Sequence, residues 1–325
     1  MKILVTGGAG FIGSHLCELL LAQGYTVTAL DNFNDYYDPQ CKRRNIASAL
    51  SNPSYQLIEA DYGDRLAAGK VLQAGKFDAV AHLAAQAGVR PSIENPLKYQ
   101  HANVANLIAL LEAMREYGPL KIVAASSSSV YGNVTPAPFR EDAPCLQPLS
   151  PYGASKRASE IFLGTYCGLY GFKAIVVRPF TVYGPRQRPD MAIATFARKL
   201  LLGESISLYG DGSSSRDYTY VSDIVAGISA ALQNFPVDFG IYNLGCGSPI
   251  SLNGLISLLE GITRRKANIQ RSGMQIGDVE NTFADISKAR MDLHYSPQVE
   301  LAAGIEKTVA WVESELQREA AESRS

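Results

Sequence analysis

The chain has 325 residues, 46% of them hydrophobic and 19% charged, a length and composition that bury a large core without disulfide or metal staples. Thirty basic residues against 31 acidic ones leave a net charge of −1, so no general attraction to nucleic acid or anionic lipid is expected. Five scattered cysteines without a Cys-x-x-Cys pair, four histidines away from ligand spacing and no long apolar run argue against a disulfide framework, a metal centre and a membrane span, and predict a cytoplasmic protein with reduced thiols.

The chain order alternates strands and helices. Residues 2–6 form a short aliphatic strand that runs into a glycine turn rather than a leader peptide, and 11–23 show helical spacing (Phe11, Leu16, Leu19, Leu20) up to the stop at Gly24. Strands are predicted at 26–30, ending in Asp31, at 55–60 before Asp61, and at 77–83 after a helix that starts near Asp64. A helical segment spans 97–117, a strand at 121–125 opens into four serines, and a helix at 152–170 leads to a strand at 173–177. This alternation predicts an α/β fold with a doubly wound parallel sheet, the Rossmann arrangement.

After Arg178 the segments shorten, with helices expected at 191–202, 222–234, 251–260 and 302–318. The expected organisation is a Rossmann domain over 1–178 and a smaller mixed α/β domain over 179–325, with part of 217–245 returning to the first sheet. The five prolines in 133–151 predict an ordered surface loop, and 313–325 reads as a solvated helix end with a frayed tail.

The turn Gly7-Gly8-Ala9-Gly10-Phe11-Ile12-Gly13 contains both Gly8/Gly10/Gly13 and Gly7/Gly10/Gly13 spacings. It follows a strand, opens a helix, and is followed 18 residues beyond Gly13 by Asp31, the context of a dinucleotide site. Glycines admit a pyrophosphate to the backbone and to the helix N-terminus. The Asp31 carboxylate would accept from a ribose diol and repel a 2′-phosphate, so NAD is expected over NADP. Asp61, at the same sheet edge, reads equally as a contact to the adenine amino group or as a helix N-cap.

Tyr152 and Lys156 lie four apart in Tyr-Gly-Ala-Ser-Lys, on one helix face. A free tyrosine holds its proton until about pH 10, so a neutral-pH phenolate needs about 4 kcal/mol of help. A lysine ammonium and an oxidised nicotinamide in a dry cleft are the expected sources. One of the serines Ser126–Ser129 can share a substrate alcohol's proton with Tyr152.

Together these residues resemble the extended short-chain dehydrogenase/reductase family, through TGGAGFIG (6–13), FDAVAHLAA (77–85), SSSSVYG (126–132), SPYGASK (150–156), RPFTVYGPRQRPDM (178–191), GDGSSSRDYTYVSDI (210–224) and GD…FADISKA (277–289). Within it the chain looks most like NAD-dependent nucleotide-sugar 4-epimerases, and DNFNDYYDPQCKRR (31–44), AAQAGVR (84–90) and TVYGPRQRPDM (181–191) are similar to those acting on UDP-glucuronate.

The resemblance implies Tyr152 as base, Lys156 as its helper and Ser127 as the catalytic hydroxyl. It implies cofactor contacts from Gly7, Gly10, Phe11, Ile12, Gly13, Asp31, Asn32, Asp61, Tyr62, Leu83, Ala84, Ala85, Asn103, Tyr152 and Lys156. Arg216 matches the clamp on the substrate diphosphate and Asp278 a position near the uridine ribose; a surface ion pair of Arg216 with Asp217 or Asp223 is the plain alternative. Relatives that eliminate water carry an acid pair just after the catalytic hydroxyl, and those that decarboxylate carry a glutamate two residues after it. Here these positions are Ser128 and Ser129, which points to epimerisation.

Ser128, Ser129 and Thr181 are candidates for holding a uronate carboxylate, with Arg188 as a further one. Thr282 leaves space at C2 and keeps UDP-glucose and UDP-N-acetylglucosamine open as substrates. UDP-glucuronate decarboxylation and a non-catalytic NAD sensor are the other readings. The implied partners are a UDP-sugar and a second copy of the chain, docked through helices near 97–117 and 152–170, whose apolar spacing (Leu107, Leu110, Leu111, Met114) fits such a face.

Overall fold

Ile3 and Val5 point into one buried cluster and Leu4 into another, the pattern of a strand covered by helices on both faces. The computed structural model of the chain describes residues 1–273 and 279–322. Its seven-stranded sheet is built from β1 (Lys2–Thr6), β2 (Thr26–Asp31), β3 (Tyr55–Glu59), β4 (Ala79–His82), β5 (Lys121–Ala125), β6 (Lys173–Pro179) and β7 (Phe239–Leu244). Their order is β7-β6-β5-β4-β1-β2-β3, all parallel, with Ile3 registered on Val27 and on Ala79. The chain winds outward in both directions from β1 and β4. A crevice therefore opens at the carboxyl ends of these two strands, where such sheets bind ligands.

Helices α1 (Phe11–Ala22), α2 (Arg65–Gly75), α3 (Asn106–Tyr117), α4 (Pro151–Tyr170) and α5 (Val221–Gln233) cover the sheet. Leu16 and Leu20 of α1 meet Ile224 and Ile228 of α5 in one core, while Leu72, Leu107, Leu110 and Leu163 share the other. Beyond β6, short pairings form a second region over the crevice: Ser215–Arg216 with Ile250–Ser251, and Ser205–Tyr209 with Asn268–Ser272.

Three expectations change. The segment 97–117 is not one helix: Pro96–Gln100 and α3 are separated by a widened turn over His101–Ala105. Within that turn the Asn103 carbonyl accepts from the Ser159 hydroxyl at 2.9 Å.

The tail is ordered further than expected, with a helix over Leu301–Glu322. Arg198 grips Glu319 through two bonds, Arg318 pairs with Glu315 and Glu322, and Arg44 reaches Glu315. Leu107, Leu110, Leu111 and Met114 are at most 1% exposed within their own chain, so their spacing reflects the core and leaves nothing for a second copy.

Truncating one of these tests the point. Leu110→Ala should cost about 2–5 kcal/mol in urea unfolding while leaving the molecular mass in solution unchanged.

Candidate active site

A cleft of about 660 Å³ lies at the crevice, walled by the glycine turn, the ends of β2, β4 and β5, the start of α4 and the second region. Its floor is the turn after β1. Gly7 has φ +71, and a Cβ on Gly13 would lie 2.1 Å from the Gly7 carbonyl oxygen, so neither position tolerates a side chain. No side chain caps the start of α1 and its first turn holds no acid, leaving the helix end open to an anion. The donor set fits a dinucleotide pyrophosphate.

Asp31 closes one end. Its Oδ2 accepts from Ala9 N at 3.1 Å, its Oδ1 from Phe33 N at 2.9 Å, and Lys42 Nζ stands 3.6 Å away. Asp61 is not the helix cap: that role falls to Asp64, which accepts from Leu66 N and Ala67 N. Asp61 instead accepts from Asn32 Nδ2 at 3.0 Å and from Gly63 N, and both Asp61 and Asn32 lie on the cleft wall. Tyr62, Leu83, Ala84 and Ala85 also line it.

Asn103 does not line this main cleft: its amide is spent on Gln86 N, Gln86 O and Ser155 Oγ. It braces the cleft wall through Gln86. Sequence reasoning missed Lys42, Tyr36 and Tyr37 on that wall, although all three lie within the 31–44 segment that carried the resemblance.

Ser150 accepts from Gly153 N at 3.1 Å and Pro151 fills the first turn, so α4 begins at the cleft. A Cβ on Gly153 would come within 2.6 Å of the Ser129 carbonyl; the bare position lets the catalytic helix pack directly on the serine turn. Ser127 caps that turn, accepting from Ser129 N at 3.1 Å, and donates to Ser129 Oγ at 3.2 Å. Tyr152, Lys156 and Ser127 to Ser129 all face the cleft.

Burial raises the Tyr152 phenol above its ordinary value, against a hydrogen bond from Ser127 and the positive charge of Arg188. Lys156 donates to Ala125 O at 2.8 Å, and burial pushes it down to about 8 against the opposing charge of Glu160. Behind it, burial and Lys156 push His82 down to about 3, a neutral ring that shares Thr6 Oγ1 at 2.8 Å.

Arg188 lines the cleft but is held by Asp190 at 3.0 and 3.1 Å. Thr181 and Thr282 line it as well, the latter accepting from Asp217 N. Arg216 points its Nη1 to the carbonyls of Ser215 and Glu280 at 2.9 and 3.0 Å. Neither neighbouring acid takes it, because Asp217 already receives Cys246 N, Gly247 N and Ala284 N, and Asp223 receives Gln298 N and Val299 N. Arg216 thus faces the cleft without a carboxylate partner among the described residues. Asp278 lies outside the described residues.

The site is anchored from below. Glu160 of α4, 1% exposed, takes two bonds from the fully buried Arg178 at 2.8 and 2.7 Å and one from Ser126 Oγ at 2.6 Å. Burial alone would raise this carboxyl, but Arg178, Ser126 and Arg157 outweigh it and hold it below the usual range. A lowered carboxyl contributes stability above its unfolded value and loses it as pH falls. Glu160→Gln should thus cost about 3–5 kcal/mol at neutral pH, and should lose less stability than the parent between about pH 5 and about pH 3, both read from urea unfolding.

Comparison with known proteins agrees with this geometry. Residues 3–245 match the NAD dependent epimerase/dehydratase family. UDP-glucuronate 4-epimerase of Thermodesulfobacterium geofontis (strain OPF15) is 41% identical over 309 residues, covering 95% of each chain. The crystal structure of UDP-glucuronic acid 4-epimerase from Bacillus cereus in complex with UDP-glucuronic acid and NAD superposes with a TM-score of 0.91 at 38% identity, over 97% of this chain and all of that one. UDP-glucose 4-epimerase of Thermotoga maritima with UDP-glucose gives 0.88 at 32% identity, over 97% of this chain and 100% of the other. On its glycine turn, its Tyr152–Lys156 pair and these matches, the chain belongs to the NAD dependent epimerase/dehydratase family.

Proposed function

We propose that this chain is a UDP-glucuronate 4-epimerase, interconverting UDP-glucuronate and UDP-galacturonate through a 4-keto sugar. The observation that carries the reading is a set of neutral hydroxyls, Ser127, Ser128, Ser129 and Thr181, lining the same cleft as Tyr152 and Lys156. The glycine turn and the start of α1 hold the cofactor pyrophosphate, Asp31 the ribose diol, and Asn32 with Asp61 the adenine edge. Bound NAD supplies the redox half, accepting the C4 hydride and returning it to the other face of the turned-over keto sugar.

Tyr152 takes the proton from the C4 hydroxyl, with Ser127 sharing it, and gives it back when the alcohol re-forms. The ammonium of Lys156, fixed on Ala125 O, lowers the cost of the phenolate together with the cofactor's positive ring. Arg216 grips the diphosphate with a guanidinium that no carboxylate among the described residues occupies.

A 4-keto uronate is a β-keto acid and loses carbon dioxide when the bond from C5 to the carboxylate can align with the carbonyl π system. Ser128, Ser129 and Thr181 hold the carboxylate out of that alignment by neutral hydrogen bonds, and Arg188 adds charge at the same end of the cleft. Thr282, small and lining the cleft, favours a second reading in which a bulkier C2 group enters, as in UDP-N-acetylglucosamine. We also propose a cytoplasmic homodimer. The outer face of α4 and its neighbour exposes Ile161 (56%), Leu169 (67%) and Leu97 (77%), and all five cysteines are free thiols.

Incubation with UDP-glucuronate and no added reductant should yield UDP-galacturonate without carbon dioxide, identified by chromatography and NMR. A pentose product would make the chain a decarboxylase, and turnover of UDP-glucose or UDP-N-acetylglucosamine alone would remove the uronate. Tyr152→Phe should cut turnover by about 10²–10⁴-fold with NAD still bound; a sensor would be indifferent. Ser128→Ala with Thr181→Ala should release UDP-4-keto-pentose, and a clean epimer product from that pair would refute the carboxylate clamp.

A further inference from the structure

Lys42 is an unusual residue to find buried: its side chain is 7% exposed, and lysine rarely sits so deep without a charged partner. It is placed by the short helix Pro39–Asn45, which Asp38 caps through Gln40 N at 2.9 Å. Its ammonium donates to Asn34 O and Asn34 Oδ1, each at 3.3 Å, and stands 3.6 Å from Asp31 Oδ1. The ring of Tyr37 lies 5.4 Å from it. Lys42, Asn34 and Asp31 all border the cleft.

Asp31 is surrounded by donors on every side that the chain supplies: Ala9 N, Phe33 N and Lys42 Nζ. Phe33 is held at φ +47, a left-handed conformation uncommon for a bulky side chain, and the carboxylate secures it by accepting its N–H. Two backbone N–H groups and an ammonium converging on one anion are also the donor set of a phosphate site. The carboxylate of Asp31 fills that set from within the chain.

We infer that Lys42 is a specificity-determining residue of the cofactor pocket: with Ala9 N and Phe33 N it forms a latent 2′-phosphate site that the Asp31 carboxylate occupies and masks. The inference rests on the reading that Asp31 faces the adenosine ribose. A 2′-phosphate entering there meets a carboxylate already paired with the Lys42 ammonium, a pair that offers it no net positive charge. Removing the carboxylate would leave Lys42 and both N–H groups without their anion, all bordering the space it filled.

The test is calorimetric titration of the full chain with 2′,5′-ADP and with 5′-ADP. Asp31→Ser should bind 2′,5′-ADP about tenfold to a hundredfold more tightly than the parent and 5′-ADP more weakly. Adding Lys42→Met should abolish the gain. A gain that survives Lys42→Met, or no gain at all alongside weakened 5′-ADP binding, would overturn the inference. Unchanged 5′-ADP binding in Asp31→Ser would overturn the ribose reading and the inference with it. Should Asp31→Ser fail to fold, Lys42→Met alone decides: it should weaken 2′,5′-ADP binding about tenfold more than it weakens 5′-ADP binding, whereas equal loss of both would reduce Lys42 to a structural role.

Discussion

The buried pair of Glu160 and Arg178 is the constraint on which the site's geometry hangs. Taking both charges out of water is expensive, and two short parallel bonds recover that cost only while both partners stay in register. Glu160 sits one helical turn after Lys156 on α4, Arg178 near the end of β6, and Ser126, bonded to the same carboxylate, at the head of the serine turn. One carboxylate thereby fixes the catalytic helix, the hydroxyl turn and the strand that leads into the second region. The guanidinium also lies 4.8 Å from the Tyr131 ring, and Tyr131 Oη donates to Asn243 on β7 at 2.7 Å. The brace therefore reaches the last strand of the sheet.

The same carboxylate shapes the electrostatics above it. Lys156, pushed down by burial, is supported in its charged form by Glu160, while His82 behind it stays neutral. The Lys156 ammonium thus lines the cleft with a neutral ring rather than a cation behind it. The Tyr152 phenol is raised by burial.

What the sequence made legible was local. The glycine turn, Asp31 and the Ser150–Lys156 segment each carry their geometry in a few adjacent residues, and the strands around them alternate with helices at readable spacing. Asp64 could be read as a helix start, and its capping role then released Asp61 to the cleft.

What the sequence left unread shares a cause: interactions between distant residues. Glu160 and Arg178 are 18 apart and on different elements, so no period links them. The apolar stripe of Leu107, Leu110, Leu111 and Met114 serves an internal core as readily as a second subunit, and periodicity cannot tell these apart. Lys42 lies in the 31–44 segment that carried the resemblance, yet nothing local in that run shows that the fold brings its ammonium to Asp31. Arg216 stands beside acids in sequence that the fold gives to backbone N–H groups.

The central claim is that one cleft removes and restores hydrogen at a single sugar carbon while its dinucleotide stays in place. Following deuterium at C4 of UDP-glucuronate by mass spectrometry and NMR tests it most directly. The account predicts UDP-galacturonate that keeps its deuterium at C4, with no exchange into water and none between substrate molecules. Loss of the label to solvent, or its appearance at C5, would contradict it.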